Sequence, residues 1–254
     1  MTMTIMRALA LGALLVLAGC ASRPQGAENE GQSARINTQL GVAYMRQNQL
    51  DQAHDKLQKA LRQDAQLPEA HAAIAVLYER MNEPKKAREH HWRAVELAPE
   101  ESPALNNFGR FLCSQKEYRE AEGYFMRAAQ NPLYQTPEVP WVNAAACAQS
   151  AGDPEKAERF YLRALQANPK FAPALLRMAQ IRQAAGHALS ARGFYQRYLE
   201  LAPQTPESLW LGIQIERELG DTSAAGSYAL LLKGKYPDSE EARRLIQAET
   251  RNGG

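Results

Sequence analysis

The stretch from Ser102 to Pro132, SPALNNFGRFLCSQKEYREAEGYFMRAAQNP, decides how the chain folds. Apolar residues recur at helical spacing through Leu105, Phe108, Phe111 and Leu112. A polar break covers Ser114 to Glu117, and a second helical pattern follows in Tyr118, Ala121, Tyr124, Phe125 and Ala128. That periodicity predicts a helix, a tight turn and another helix, closed by a proline. Neither helix can bury its apolar face alone, so the unit requires neighbours stacked on both sides.

Those neighbours are present. Alanine recurs at Ala53, Ala87, Ala121, Ala157, Ala191 and Ala225, at steps of 34, 34, 36, 34 and 34 residues. Small residues form a second column at Gly41, Ala75, Gly109, Ala145 and Ala179, and a third at Ala60, Ala94, Ala128 and Ala164. A larger side chain where two helices cross closely would overpack the contact at a cost of about 1–3 kcal/mol. Pro99, Pro169, Pro203 and Pro237 close repeats after their second helix, with Pro132 one place early. The turns inside the hairpins carry Asn48, Asn82, Lys116, Gly152, Gly186 and Gly220. Asparagine and glycine tolerate the left-handed backbone that ends a helix, and Lys116 alone departs from the rule.

Period and columns together resemble the tetratricopeptide repeat over roughly residues 34 to 239. The resemblance implies an all-α, right-handed superhelical solenoid of about six repeats, starting near residues 34, 68, 102, 138, 172 and 206. Helices are expected near 35 to 47, 50 to 63, 69 to 81 and 84 to 97, with Pro84 opening its helix, where a missing N–H is harmless. The two extra residues enter between Asn131 and Pro140, predicting a rigid loop there. Ile213 and Leu232 stand where small residues are expected, so the sixth repeat reads as the loosest. A short capping helix is expected in 240–254, capped by Asp238 with Glu241 and fraying from Arg251.

Composition narrows the function classes. The 254 residues are 45% hydrophobic and 23% charged, and a mean hydropathy of -0.49 argues against a polytopic membrane protein. A net charge of +2, with no Lys/Arg stripe interleaved with aromatics, gives no support to nucleic-acid binding. The basic clusters at Lys85, Lys86 and Arg88 and at Arg243 and Arg244 sit beside acidic residues and read as solvated helix faces.

The first 20 residues, MTMTIMRALALGALLVLAGC, place one cation at Arg7 before an apolar run from Ala8 to Ala18. The run is too short to span a bilayer and has the length of a signal-peptide core. Leu17, Ala18, Gly19 and Cys20 resemble the lipobox of bacterial lipoproteins, which implies cleavage after residue 19 and acylation of Cys20. Two acyl chains suffice for stable membrane anchoring. Ala21 follows the cysteine in place of the aspartate of inner-membrane retention signals, which favours the outer membrane. Residues 20–33 then read as a polar, flexible tether of roughly 20 Å end to end, holding the solenoid on the periplasmic face.

Reactive chemistry finds no foothold. His54, His71, His90, His91 and His187 show no metal-ligand spacing, and His71 and His91 fall in helix-packing columns. No phosphate-cradling glycine loop or nucleophile elbow occurs, and the carboxylates are scattered on solvent faces, so neither an enzyme, a metal, a cofactor nor a small-molecule substrate is expected. Cys113 and Cys147 lie at similar levels of first helices in adjacent repeats. An oxidising periplasm permits a disulfide between them. A helix-diameter spacing instead leaves two separate thiols, and the bond is the expectation carried forward.

The remaining asset is surface. First helices of tandem hairpins line the concave side, at about positions 2, 5, 9 and 12 or 13 of each repeat. These positions select Arg35, Thr38, Val42, Met45 and Arg46, then Glu69, Ala72, Val76 and Glu79, then Asn106, Arg110 and Cys113. Val42, Met45, Ala72 and Val76 form an apolar strip, suited to capturing a partner or else to packing against the tether.

With lipobox, tether and six repeats read, the chain is similar to the type IV pilus biogenesis and stability lipoproteins, the PilW or PilF pilotin family. The similarity lies in LNNFGRFLCSQKEY at 105–118, NPLY at 131–134, TPE at 136–138 and GDPEKAE at 152–158. It implies an outer-membrane lipoprotein, anchored through Cys20, that binds the secretin subunit of the pilus and promotes its localisation and oligomerisation. The competing reading is a general envelope scaffold that docks peptidoglycan enzymes or outer-membrane assembly factors.

Overall fold

The small-residue columns set the spacing of the molecule, because they mark where paired helices approach closely. The computed structural model describes residues 25–252, with side chains from 29 to 251, and among these residues there are thirteen helices and no strand. They are α1 (Gln25–Arg46), α2 (Leu50–Gln63), α3 (Pro68–Arg80), α4 (Pro84–Leu97), α5 (Ser102–Ser114), α6 (Tyr118–Gln130) and α7 (Glu138–Ser150). After these come α8 (Pro154–Ala167), α9 (Ala172–Ala184), α10 (Ala188–Leu199), α11 (Pro206–Glu218), α12 (Thr222–Lys235) and α13 (Glu240–Asn252). Consecutive helices pair as six hairpins, α1 with α2 through α11 with α12, and α13 packs on α11 and α12. The chain is an all-α solenoid.

Inside a hairpin, a small residue on the first helix faces a large one on the second. A Cβ added at Gly41 would lie 2.5 Å from Leu57 Cγ and 3.3 Å from the Ala53 carbonyl. One at Gly109 would lie 2.8 Å from Phe125 Cε1 and 3.2 Å from the Ala121 carbonyl. The same large-residue column continues as His91, Tyr161 and Tyr195, all buried. The sixth repeat reverses the pair: Ile213 is fully buried and Ala229 takes the large residue's place in the same cluster. At this crossing the volume is exchanged between the helices rather than lost.

Two polar members of the large column have side-chain partners, while the buried Tyr195 hydroxyl has none among the described residues. His91 bonds Glu79 Oε1 at 2.8 Å, and the Tyr161 hydroxyl donates to Gln149 Oε1 at 3.0 Å. Glu79 and Gln149 occupy one column of the first helices.

Several local expectations change. Residues 25–33, read as tether, belong to α1, and Ala34 is fully buried against Ala60, Leu67 and Ala70. The loop after α6 ends at Pro137, because Pro140 fits the first turn of α7, where its missing N–H breaks no helical bond. Ser239, not Asp238, caps the last helix, its Oγ accepting from Ala242 N–H at 3.1 Å. That helix is a full 13 residues and reaches Asn252, past the expected fraying point.

All six hairpin turns use the left-handed backbone, including Lys116 at φ 66°. A non-glycine residue there carries a steric cost of about 1–2 kcal/mol. Part of that cost offsets the greater unfolded-state freedom of glycine. Lys116→Gly is therefore expected to stabilise the chain by about 1 kcal/mol, read as a higher thermal midpoint; an unchanged or lower midpoint contradicts this.

Between α2, α3 and α4 lies a polar patch. His71 Nε2–H donates to the Ala65 carbonyl at 3.2 Å, leaving His71 Nδ1 to accept from His90 Nδ1–H at 2.9 Å. Burial pushes both imidazoles below the ordinary 6.5, and His71 adds to the effect on His90. The unfolded chain takes up these protons first as pH falls. The stability is thus fully present above pH 6.5 and is lost below it. Thermal midpoints recorded from pH 8 down to 5 are expected to fall most steeply below that value, and His90→Gln is expected to flatten the fall.

Candidate functional site

The first helices of repeats one to three enclose a groove of about 390 Å³. Val42 and Met45 from α1, Ala72 and Val76 from α3, and Pro103 and Asn107 from α5 line it. Met45 is nearly buried at the floor, while Val42, Ala72 and Val76 remain half-buried. Glu69 and Glu101 also line it, and both are exposed. At one end Arg80 clamps the tips of the hairpins, donating to the Met45 carbonyl at 2.5 Å and Asn48 Oδ1 at 3.0 Å. An apolar floor with an acidic rim suits an apolar segment flanked by basic residues.

The four apolar residues chosen from the sequence therefore meet in one groove. Four other candidates stand apart from it. Arg35 is exposed on α1 outside the lining, and Arg110 is exposed on α5 outside it. Thr38 is buried, its hydroxyl donating to the Ala34 carbonyl at 2.9 Å. Asn106 is buried too, accepting from Asn143 Nδ2 at 2.8 Å, and so ties α5 to α7. Pro103, Ala104, Asn107 and Glu101 supply the wall that sequence reasoning missed. The spacing rule at position 2 of the third repeat selects Pro103.

Cys113 and Cys147 face each other across α5 and α7, with their sulfurs at bonding distance and Cα atoms 5.8 Å apart. Spacing by a full helix diameter does not apply, because the two are not equivalent residues. The repeat step here is 36, from Gly109 to Ala145, while the cysteines are 34 apart. Cys147 therefore sits two residues earlier in its helix, close to the point of crossing. Cys20 lies outside the described residues, and no helix among those described is long and apolar enough to cross a membrane.

A stacked-hairpin solenoid of this kind defines the class of tetratricopeptide-repeat proteins. Models described as TPR repeat and tetratricopeptide repeat match residues 32–82, 104–130 and 148–212. The type IV pilus assembly protein PilF of Pseudomonas aeruginosa is 31% identical across 97% of this chain and 100% of its own length. The solved structure of that PilF matches at a TM-score of 0.75, covering 87% of this chain and 99% of the other. PilW, described as a widely conserved type IV pilus biogenesis factor, matches at 0.73 with 30% identity, covering 85% of this chain and 99% of its own. The chain belongs to the PilF family of type IV pilus tetratricopeptide-repeat proteins.

Proposed function

We propose that this chain serves type IV pilus biogenesis as an outer-membrane pilotin, held at the periplasmic face by lipid on Cys20. Its groove captures a segment of the secretin subunit and promotes that subunit's localisation and oligomerisation. Family membership supports the pilus role, and the apolar groove between α1, α3 and α5 is the observation that carries the docking step. The work is done by binding, without a reaction at a catalytic centre. Val42→Asp puts a charge on the groove wall beside Glu69, and it is expected to weaken secretin capture at least about tenfold. Cys20→Ala is expected to move the chain from the membrane to the soluble fraction. Secretin multimers in cells, resolved by gel, should fall in both variants, while cell-wall shape stays normal. Intact multimers in Val42→Asp cells would remove the groove from the mechanism, and altered shape with normal multimers would favour the general envelope scaffold.

We also propose that Cys113 and Cys147 are oxidised to a disulfide in the periplasm, stapling repeat three to repeat four. Closing a loop of this length contributes about 4 kcal/mol. The double variant Cys113→Ser with Cys147→Ser should therefore unfold at lower urea, and reductant should have no further effect on it. Two free internal thiols by intact mass in non-reducing preparations would contradict the bond.

A further inference from the structure

A second concave site lies on the other side of the hairpins, built largely by second helices. Met126 and Gln130 of α6, Trp141 of α7, and Arg159, Phe160 and Arg163 of α8 enclose about 380 Å³. Its arginine column shows what is unusual about it. Arg93, Arg127, Arg163 and Arg197 occupy equivalent places on α4, α6, α8 and α10. Three of them reach back to the loop that closes the preceding repeat. Arg93 donates to Gln66 Oε1 at 3.0 Å, Arg127 to the Pro99 carbonyl at 2.8 Å and Arg197 to the Pro169 carbonyl at 2.8 Å. Arg127 also covers the Tyr124 ring at 5.6 Å, and Arg197 the Phe194 ring at 5.8 Å.

Arg163 makes neither contact among the described residues. The two inserted residues after α6 alter the loop it would grip, and its only partner is Gln166 Oε1 on its own helix, at 3.4 Å. Phe160 is thereby left without a cation over its ring and stacks with Trp141, centroids 5.7 Å apart at 29°. One turn from Arg163, Arg159 is exposed and has no ion pair or hydrogen bond among the described residues. The neighbouring Glu158 is taken by Arg182. Two guanidinium groups without an ion pair among the described residues thus flank a half-buried aromatic pair.

We propose that this site docks an acidic peptide segment carrying an aromatic anchor. The anchor ring stacks against Trp141 and Phe160, and adjacent carboxylates take charge-assisted bonds from Arg159 and Arg163. The volume accommodates one large side chain and its neighbours. Charge complementarity selects the opposite kind of segment from the acidic-rimmed groove, so the two sites can be occupied together.

The probe is a fluorescein-labelled eight-residue peptide of glutamates with one central phenylalanine, titrated into the full-length chain at low salt and read by anisotropy. Saturable binding is expected, weakened at least about tenfold by Arg159→Glu with Arg163→Glu and unaffected by Val42→Asp. Both arginines are exposed, so circular dichroism and the thermal midpoint should not change. An all-glutamate peptide should bind at least about tenfold more weakly. Absence of saturable binding overturns the proposal, as does retention of affinity in the arginine variant. Equal binding of the all-glutamate peptide, or equal competition by inorganic phosphate, would reduce the site to a generic anion surface and also overturns it.

Discussion

The contact on which everything else depends is the close crossing inside each hairpin, where glycine or alanine on the first helix meets a bulky side chain on the second. At Gly41 and Gly109 the gap is too small for even one further carbon. This constraint fixes the distance between paired helices and hence the thickness of every repeat. It also fixes how far apart the first helices stand when repeats stack, and the width of the groove between Val42, Ala72 and Pro103 follows. The reversal to Ile213 and Ala229 shows that summed volume is what the crossing requires, since either helix can supply the bulk.

Stacking direction is reinforced by charges that change sign together. Arg88, Glu122, Glu158 and Arg192 occupy one column of the second helices, and each pairs with a residue of the next repeat: Glu117, Lys156, Arg182 and Glu216. The three pairs nearer the surface add little free energy, whereas Glu216 is buried and takes two bonds from Arg192. Together they join each repeat to the next at four successive junctions.

The hairpins were legible in the sequence because each crossing is local, brief and repeated six times; Lys116 departed from the turn rule by residue type, yet takes the left-handed backbone of its column. Contacts made once left weaker traces. The start of α1 carries almost no apolar period, and its helical continuation depends on Ala34 reaching Ala60 and Ala70, which one alanine does not announce. The groove was half visible: its apolar members follow the spacing rule, but Asn106 satisfies the same rule and is drawn into the stack by Asn143 on another helix. His91 was legible as a packing residue from its column, between Leu57 and Phe125, and it is buried there.

A two-residue irregularity generates the most individual part of the molecule. Lengthening the step between repeats three and four to 36 shifts the register so that Cys147 opposes Cys113 near a helix crossing. It also alters the loop that Arg163 would otherwise hold. One insertion therefore has opposite effects on the two sides of the stack: it brings first helices within covalent reach while freeing a cation and an aromatic face among the second helices. In a quasi-one-dimensional fold each repeat touches only its neighbours, so such a change stays confined to one junction and leaves the N-terminal groove intact. The solenoid thus carries two concave sites with linings of unlike charge, one set by the regular repeat and the other by its departure from it.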